Sequence, residues 1–238
     1  MDTFNSDAFT RLKKAEQRHF WFSVRRRYIY DRIKKFILPP AKTLEIGCGT
    51  GNVSNFLSAK GYEVTGCEYF PEALEIAYEN FTKVRGNALS LPFKEKSFNI
   101  VGLFDVIEHF DDDKTVLIEA KRAIKPGGII AITVPAKEEL WGYPDEKAHH
   151  KRRYSKKTLS FSLSAVGFKT LSIEYIFSFL YFPVKFSRKK KPKGGNKFII
   201  NPILNKFLQL TFETERVLNK VIPMPIGTSL IAIGTPDE

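Results

Sequence analysis

The chain has 238 residues, of which 43% are hydrophobic and 27% charged, values that are typical of a soluble globular protein. It contains no uncharged apolar run of roughly 18 residues and begins without an apolar signal region, so we expect a cytoplasmic protein that is not integral to a membrane. Cys48 and Cys67 lack a second Cys/His pair nearby, which argues against a structural zinc site and a disulfide framework. The net charge of +12 favours an anionic partner, either nucleic acid or an acidic membrane surface.

The first forty residues have a helical pattern. Polar capping residues precede a helix that runs through Arg11–Arg18, and apolar residues recur at three-and-four spacing over Phe22–Ile37. Pro39-Pro40 ends this second helix because proline cannot continue the helical hydrogen bonding. We therefore assign residues 1–40 to an N-terminal helical cap.

Short β-rich and helical segments then alternate along the chain. The predicted strands are Thr43–Ile46, Glu63–Cys67, Lys83–Arg85, Phe98–Phe104, Gly128–Val134, Phe168–Tyr175 and Thr228–Gly234. The predicted helices between them are Val53–Lys60, Pro71–Asn80, Lys114–Ile124, Lys156–Ser164 and Pro202–Val221. This alternation predicts an α/β fold with a parallel sheet and helices on both faces.

A glycine-rich loop follows the first predicted strand in the segment Leu44–Asn52, whose sequence is LEIGCGTGN. Glycines at alternate positions let the backbone turn tightly and approach a ligand, and the following helix offers unpaired N–H groups. The Gly-x-Gly-x-Gly spacing is one residue tighter than the dinucleotide fingerprint. With Glu45 just before it, the loop suits a ligand that carries a cationic amine and a carboxylate.

This loop resembles motif I of the class I S-adenosylmethionine-dependent methyltransferases, and the resemblance extends over about Thr43–Pro135. Within that class the motifs look like the subgroup that includes ubiquinone and menaquinone biosynthetic enzymes, which methylate small molecules. The resemblance implies S-adenosylmethionine as cofactor and a Rossmann-like, doubly wound, mostly parallel seven-stranded sheet with an antiparallel last strand. We expect the core at 41–176, a helical and basic insertion at 177–227, and the completing strand at 228–238.

The resemblance also implies roles for single residues. Glu68 ends the second strand, where the family has an acidic residue that holds the two ribose hydroxyls, and a carboxylate can accept both hydrogen bonds. Asn87 stands where the family usually has an aspartate that binds adenine, and Phe104 and Asp105 would line the methionine end. The predicted cofactor-binding residues are Glu45, Gly47, Cys48, Gly49, Gly51, Asn52, Glu68, Tyr69, Asn87, Ala88, Leu89, Phe104 and Asp105.

The acceptor side offers one candidate catalytic residue. His109 lies just beyond the fourth strand, at the ligand end of the sheet, and its ordinary pKa suits a general base. We predict that His109 acts as a base or contacts the acceptor. The alternative is a histidine at a helix start that supports the loop.

Two further segments are candidates for contacting the acceptor. The loop after the fifth strand contains Trp141, His150 and Tyr154, and the alternative reading is a solvated basic loop. In the cap, Trp21 could cover the site and Arg25 could hold an anionic group, or the helix packs on the sheet through its aromatic residues. A metal site from Glu146, His149 and His150 is disfavoured because adjacent histidines rarely face one ion, so we predict no metal.

The segment before the last strand is unusual for the family, in which the last two strands nearly adjoin. Here Phe177–Phe186 is apolar and aromatic, and Lys185–Lys197 holds seven lysines and arginines without an acid, typical of a mobile basic loop. The combination suggests contact with an anionic membrane surface or a lipid-like acceptor. The alternatives are a helical extension packed on the core, and binding of single-stranded nucleic acid.

The leading functional hypothesis is methyl transfer by in-line displacement to a small-molecule or lipid-linked acceptor. An RNA methyltransferase is the first alternative, and it is weakened because the Asn/Asp-Pro-Pro-aromatic motif of many base N-methyltransferases is missing. A non-catalytic module that binds the cofactor and regulates a partner is the second. Motifs do not fix the acceptor, and the oligomeric state stays open.

Overall fold

The computed structural model describes residues 6–187 and 200–237, which contain seven strands and nine α-helices. The strands are β1 Lys42–Ile46, β2 Glu63–Glu68, β3 Thr82–Arg85, β4 Phe98–Phe104, β5 Ile124–Pro135, β6 Phe168–Ile176 and β7 Ser229–Pro236. The helices are α1 Ser6–Arg18, α2 Phe20–Ile33, α3 Asn52–Ser58, α4 Pro71–Glu75, α5 Asp113–Ala123, α6 Tyr143–Lys147, α7 Lys156–Ser164, α8 Tyr181–Ser187 and α9 Pro202–Leu218.

The strands form one sheet in the order β3-β2-β1-β4-β5-β7-β6. Neighbouring strands from β3 through β5 pair in parallel, whereas β7 is antiparallel to both β5 and β6. The predicted Rossmann-like architecture with an antiparallel last strand is therefore confirmed. The carboxyl ends of β1, β2 and β4 lie on one edge, where an open α/β sheet binds its ligands.

The sheet is buried on both faces by two hydrophobic clusters. One cluster contains residues of α5 and α7, and the other contains residues of α2, α3 and α9. Apolar runs such as Ile129–Val134 follow from this arrangement, since successive side chains of a doubly covered strand all face a core.

Two helices, α1 and α2, lie in the N-terminal segment, with boundaries that differ from those expected. α2 starts earlier than expected because His19 caps it, its Nδ1 accepting a hydrogen bond from the Trp21 N–H at 3.2 Å. Its fully buried residues Val24, Tyr28 and Ile29 pack into the second cluster, so the cap belongs to the core of the domain.

Three other segments differ from the sequence expectation. α4 is only five residues long, whereas a helix was predicted to continue to Asn80. β5 begins four residues earlier than predicted, because Ile124 already pairs with Phe98 of β4. The short helix α6 follows β5 and was not predicted at all.

The predicted insertion contains α8 and α9. Most of its basic run lies at 188–199, outside the described residues. Among the residues that are described, no helix is both long and apolar enough to cross a bilayer.

Candidate active site

The glycine loop joins β1 to α3 and is fixed to β2 by a hydrogen bond from the Gly47 N–H to the Cys67 carbonyl at 2.8 Å. Gly51 has φ +83°, and a Cβ on it would lie 2.2 Å from the ring of Phe81. Gly49 has φ +54°, and a Cβ on it would meet no atom within 4 Å. The fold thus requires Gly51 for packing, whereas Gly49 presents bare backbone to open space, as a ligand cradle needs.

Glu68 lies beside the loop with its carboxylate held in place by three backbone groups. One oxygen accepts from Gly49 N–H at 2.8 Å, and the other accepts from Tyr69 and Phe70 N–H at 2.7 and 3.1 Å. A carboxylate has about four lone-pair positions, so Glu68 keeps about one position, on the oxygen that accepts from Gly49, for a hydroxyl donor. This geometry suits a hydrogen bond from one ribose hydroxyl, and the predicted contact with both hydroxyls stays a prediction.

Two buried carboxylates flank the same loop. Glu45 accepts a 2.5 Å hydrogen bond from the Ser54 hydroxyl, and Glu16 of α1 accepts one from the Thr50 hydroxyl within the loop. Burial raises the pKa of each carboxyl group to about 7. Sequence motifs predicted Glu45 but missed Glu16, because only the docking of α1 brings it to the loop.

The expected adenine side is a compact turn after β3. Asn87 Oδ1 accepts from the Leu89 N–H at 3.0 Å, so the amide stabilises its own loop and retains a second lone pair. The turn is anchored to α5, since Arg122 donates to the carbonyls of Leu91 and Phe93. Tyr69, which follows β2, is half-exposed and offers an aromatic face.

The end of β4 is clamped by the cap. Arg25 Nε lies 2.9 Å from Asp105 Oδ2, and Arg25 Nη2 donates to the Phe104 carbonyl at 2.9 Å. Asp105 has φ +59°, a left-handed conformation that aspartate tolerates. The Trp21 ring lies 4.8 Å from the Arg25 guanidinium carbon and stacks on Phe177 of the insertion.

Arg25 and Trp21 therefore join the cap to the sheet and to the insertion. The guanidinium of Arg25 is paired within the chain, so the predicted contact with an anionic acceptor stays a prediction. As in the alternative, α2 packs on the core through aromatic residues, among them Phe20 and Tyr28.

Two histidines from separate predicted segments meet at the same edge. His109 lies in the 3₁₀ turn after β4, and its ring centroid is 4.8 Å from that of His150 at an interplanar angle of 80°. Burial and the neighbouring His150 lower the pKa of His109 to about 4. His109 is thus neutral at physiological pH and can accept a proton, although it is a weak base.

The other residues of the loop after β5 have different environments. Tyr154 is buried, and its hydroxyl donates to Asp113 Oδ2 at 2.8 Å. Its backbone also bridges to Ala136 next to β5. Trp141 is half-buried before α6. Tyr154 supports the packing of α5 here, and acceptor contacts by Trp141 and Tyr154 stay predictions.

A glycine loop after β1, an acid at the end of β2 and this strand order together define the class I S-adenosylmethionine-dependent methyltransferase fold. Residues 44–132 match the family described as a methyltransferase domain. Over residues 44–132 the chain is therefore similar to the S-adenosylmethionine-dependent methyltransferases.

Two curated methyltransferases are similar to part of the chain. The demethylmenaquinone methyltransferase of Bacillus velezensis is 30% identical over 114 residues, which are 43% of this chain and 49% of that protein. The malonyl-[acyl-carrier protein] O-methyltransferase of Enterobacter lignolyticus is 27% identical over 57% of this chain and 59% of its own length. The chain thus spans about half of each of these relatives.

Solved structures agree on the fold. Phosphoethanolamine N-methyltransferase 2 of Haemonchus contortus, in complex with S-adenosyl-L-methionine, superposes with a TM-score of 0.66 at 15% identity, covering 100% of this chain and 58% of that one. The YcgJ protein of Bacillus subtilis gives a TM-score of 0.59 at 18% identity, covering 89% of this chain and 99% of that one.

Proposed function

We propose that the protein transfers a methyl group from S-adenosylmethionine to a small-molecule or lipid-linked acceptor. The observation that carries this proposal is the arrangement of Glu68 and the bare Gly49 backbone at the carboxyl edge of β1 and β2. The cofactor supplies an activated methyl group on a sulfonium. The chain supplies binding, orientation and exclusion of water.

In this proposal, the acidic residues around the glycine loop bind the cofactor and the N-terminal cap covers it. Glu68 binds the ribose hydroxyls. Glu45 and Glu16 provide negative charge near the cationic amine, because a bound cation lowers the raised pKa of each carboxyl group. Phe9 of α1 is buried against Phe70, 5.8 Å away between ring centroids, so the cap covers this edge of the sheet. A covered site keeps water from competing with the acceptor for the methyl group.

We further propose that the insertion docks on an anionic membrane surface, where a lipid-linked acceptor would be presented. α9 packs on the cap through Phe212 and through buried Glu215, which accepts hydrogen bonds from Tyr28, Ser178 and Phe179. Its other face is apolar and exposed. The large exposed side chains of α8 and α9 are Phe182, Phe186, Ile203, Leu204, Phe207, Leu210, Val217 and Leu218.

Charge supports a lipid surface as the occupant of this face. Residues 177–227 contain ten lysines and arginines and two glutamates, and one of these glutamates, Glu215, is buried. Exposed aromatic and aliphatic side chains next to many cations suit an interface of acyl chains and anionic headgroups. Docking there would bring an apolar acceptor to the sheet edge that the cap and insertion share.

The methyl transfer is tested with methyl-labelled S-adenosylmethionine and three acceptor pools: lipid extract, RNA and small molecules. We expect label in the lipid or small-molecule pool, and on the order of 100-fold weaker cofactor binding for Glu68→Gln, which loses charge-assisted hydrogen bonds. Glu63→Gln, at the opposite end of β2, is the matched control. Label in RNA alone would favour the nucleic-acid alternative, and tight cofactor binding without transfer would favour a regulatory module.

The membrane contact is tested by sedimentation with phosphatidylcholine vesicles with and without phosphatidylglycerol. Phe207→Ser should reduce binding to the anionic vesicles by roughly tenfold, since it removes one large apolar anchor. Phe161→Ser is the control, because Phe161 is equally exposed, at 68% against 63%, but lies on α7. Equal binding of both variants, or no binding of the parent protein at low salt, would contradict the membrane surface.

A further inference from the structure

A cluster of three potential ligands lies beyond the end of β4, beside the residues assigned to the methionine end. Glu108, His109 and His150 place one ligand atom each within 4.8 Å of the others. Glu108 and His109 belong to one 3₁₀ turn, and His150 comes from the loop after β5. The sequence argued against a metal site formed by Glu146, His149 and His150. The present cluster shares only His150 with that set.

Glu108 is the observation that requires an explanation. Its side chain is fully buried, and neither carboxylate oxygen accepts a hydrogen bond from any described residue. A buried carboxylate without a partner is costly, so such groups are normally paired or bind an ion. His150 Nε2 lies 4.0 Å from Glu108 Oε1, and Arg25 and Arg153 attract the carboxylate electrostatically without a recorded hydrogen bond to it.

The surroundings orient His150 as a ligand. Its Nδ1 lies 3.1 Å from Asp145 Oδ1, which leaves Nε2 on the side of Glu108. Asp145 is held in turn by Arg153 Nε at 2.9 Å and by the Gly142 N–H at 3.0 Å. A carboxylate behind a histidine is the usual outer partner at metal sites, because it fixes the ring and its tautomer.

Backbone contacts hold the two ligand-bearing segments together. The Lys151 N–H donates to the Glu108 carbonyl at 2.7 Å, and Arg152 donates to the Phe110 carbonyl at 3.1 Å. Ligand atoms that bind one tetrahedral ion at about 2.1 Å lie about 3.4 Å from one another. The ligand atoms here lie within 4.8 Å of one another, so side-chain movements of about 1 Å would complete the site.

We propose that Glu108, His109 and His150 bind a divalent transition-metal ion, with Asp145 as a positioning residue. One carboxylate and two imidazoles form a mixed N/O set that suits Zn²⁺ or Mn²⁺ rather than Mg²⁺ or Ca²⁺, which prefer oxygen ligands. Three protein ligands leave an open position, as in catalytic sites. The acceptor would occupy it through an oxygen.

The role of the ion in catalysis rests on the proposed methyl transfer. Binding of the ion does not depend on that proposal. Coordination would lower the pKa of an acceptor hydroxyl, which then loses its proton to solvent. The oxygen lone pair forms the bond to the methyl carbon, and the carbon–sulfur bond breaks with its electrons left on sulfur. The products are a methyl ether and a neutral thioether.

The test measures Co²⁺ binding to chelator-treated full-length protein by its visible absorption, with Zn²⁺ as competitor. We expect one Co²⁺ per chain, displaced by Zn²⁺, and affinity reduced at least about 100-fold in Glu108→Gln and His150→Gln. Asp145→Asn should cost about 10- to 100-fold. His149→Asn is the matched control, since His149 is adjacent but outside the cluster, and asparagine tolerates its φ of +57°.

Several outcomes would overturn the site. These are no Co²⁺ binding by the parent protein, unchanged binding by Glu108→Gln, or loss of binding by His149→Asn. Circular dichroism and calorimetric cofactor binding check that each variant is folded. Metal binding without methyl transfer would refute the proposed function alone, whereas methyl transfer without metal binding would refute only this site.

Discussion

The two sides of the site are built by different means. On the predicted cofactor side, backbone groups form most of the contacts: the bare loop at Gly49 and the three N–H groups that hold Glu68. On the predicted acceptor side, side chains from distant segments meet, as in the pair His109–His150. The first side depends on local conformation, and the second depends on the docking of whole elements.

This difference implies that the two sides respond differently to substitution. A change in the glycine loop acts on one local conformation and on the ligand that the loop holds. A change in the cap or the insertion acts through contacts of high sequence separation, such as Tyr28 with Glu215. Three predictions test this contrast, beginning with the largest effect.

The first prediction separates two glycines of the same loop. Gly51→Ala should lower stability by roughly 3 kcal/mol or more, since its Cβ meets the buried Phe81 ring and its φ is positive. Gly49→Ala should cost only about 1 kcal/mol, because its Cβ meets open space. Thermal unfolding without cofactor measures both changes.

Titration with S-adenosylmethionine tests the role of Gly49 in cofactor binding. Gly49→Ala should weaken S-adenosylmethionine binding on the order of 100-fold, because its Cβ would stand where the ligand approaches the backbone. Unchanged cofactor affinity in Gly49→Ala would contradict the assignment of Gly49 as cradle. Equal loss of stability in the two variants would contradict the packing role given to Gly51.

The same contrast explains what the sequence could predict. The parallel sheet and the position of Glu68 at the end of β2 were predicted because the glycine spacing and the alternation of elements are local signals. The sequence did not predict that Glu16 contacts the glycine loop, or that His109 meets His150. No local pattern marks contacts that form only when segments dock. Packing of the insertion on the core was weighed only as an alternative, and the pairing of α9 with α2 was not predicted, since an apolar pattern does not reveal which element a helix packs against.

The second prediction concerns Glu16, a residue of the cap that contacts the cofactor loop. Burial raises the pKa of its carboxyl group from 4.5 to about 7, so the folded state retains this proton to higher pH than the unfolded chain. Stability therefore falls as pH rises through this window. Glu16→Gln removes this loss and should be more stable than the parent by roughly 3 kcal/mol at about pH 8, with little difference at about pH 4.

Urea unfolding at both pH values measures the Glu16 effect. Glu45 also has a raised pKa and is unchanged in the variant, so part of the pH dependence should persist. Glu79→Gln is the control, because this carboxylate is exposed and pairs with Lys83 at the surface. A parallel shift of the Glu16→Gln curve at both pH values would show that Glu16 does not titrate in this window.

The smallest predicted effect concerns Tyr154, where a local motif and the long-range packing suggest different roles. In the structure its buried hydroxyl donates to Asp113, which also accepts from the Ser162 hydroxyl at 3.0 Å. Tyr154→Phe should therefore lower stability by about 1 kcal/mol, the cost of one buried hydrogen bond, and leave the KM for the acceptor unchanged. Ser162→Ala should cost a similar amount, since it removes the other donor to the same carboxylate. A raised KM in Tyr154→Phe without loss of stability would instead place this hydroxyl at the acceptor. The acceptor contact predicted from the motif, and not the packing role seen in the structure, would then describe the function of Tyr154.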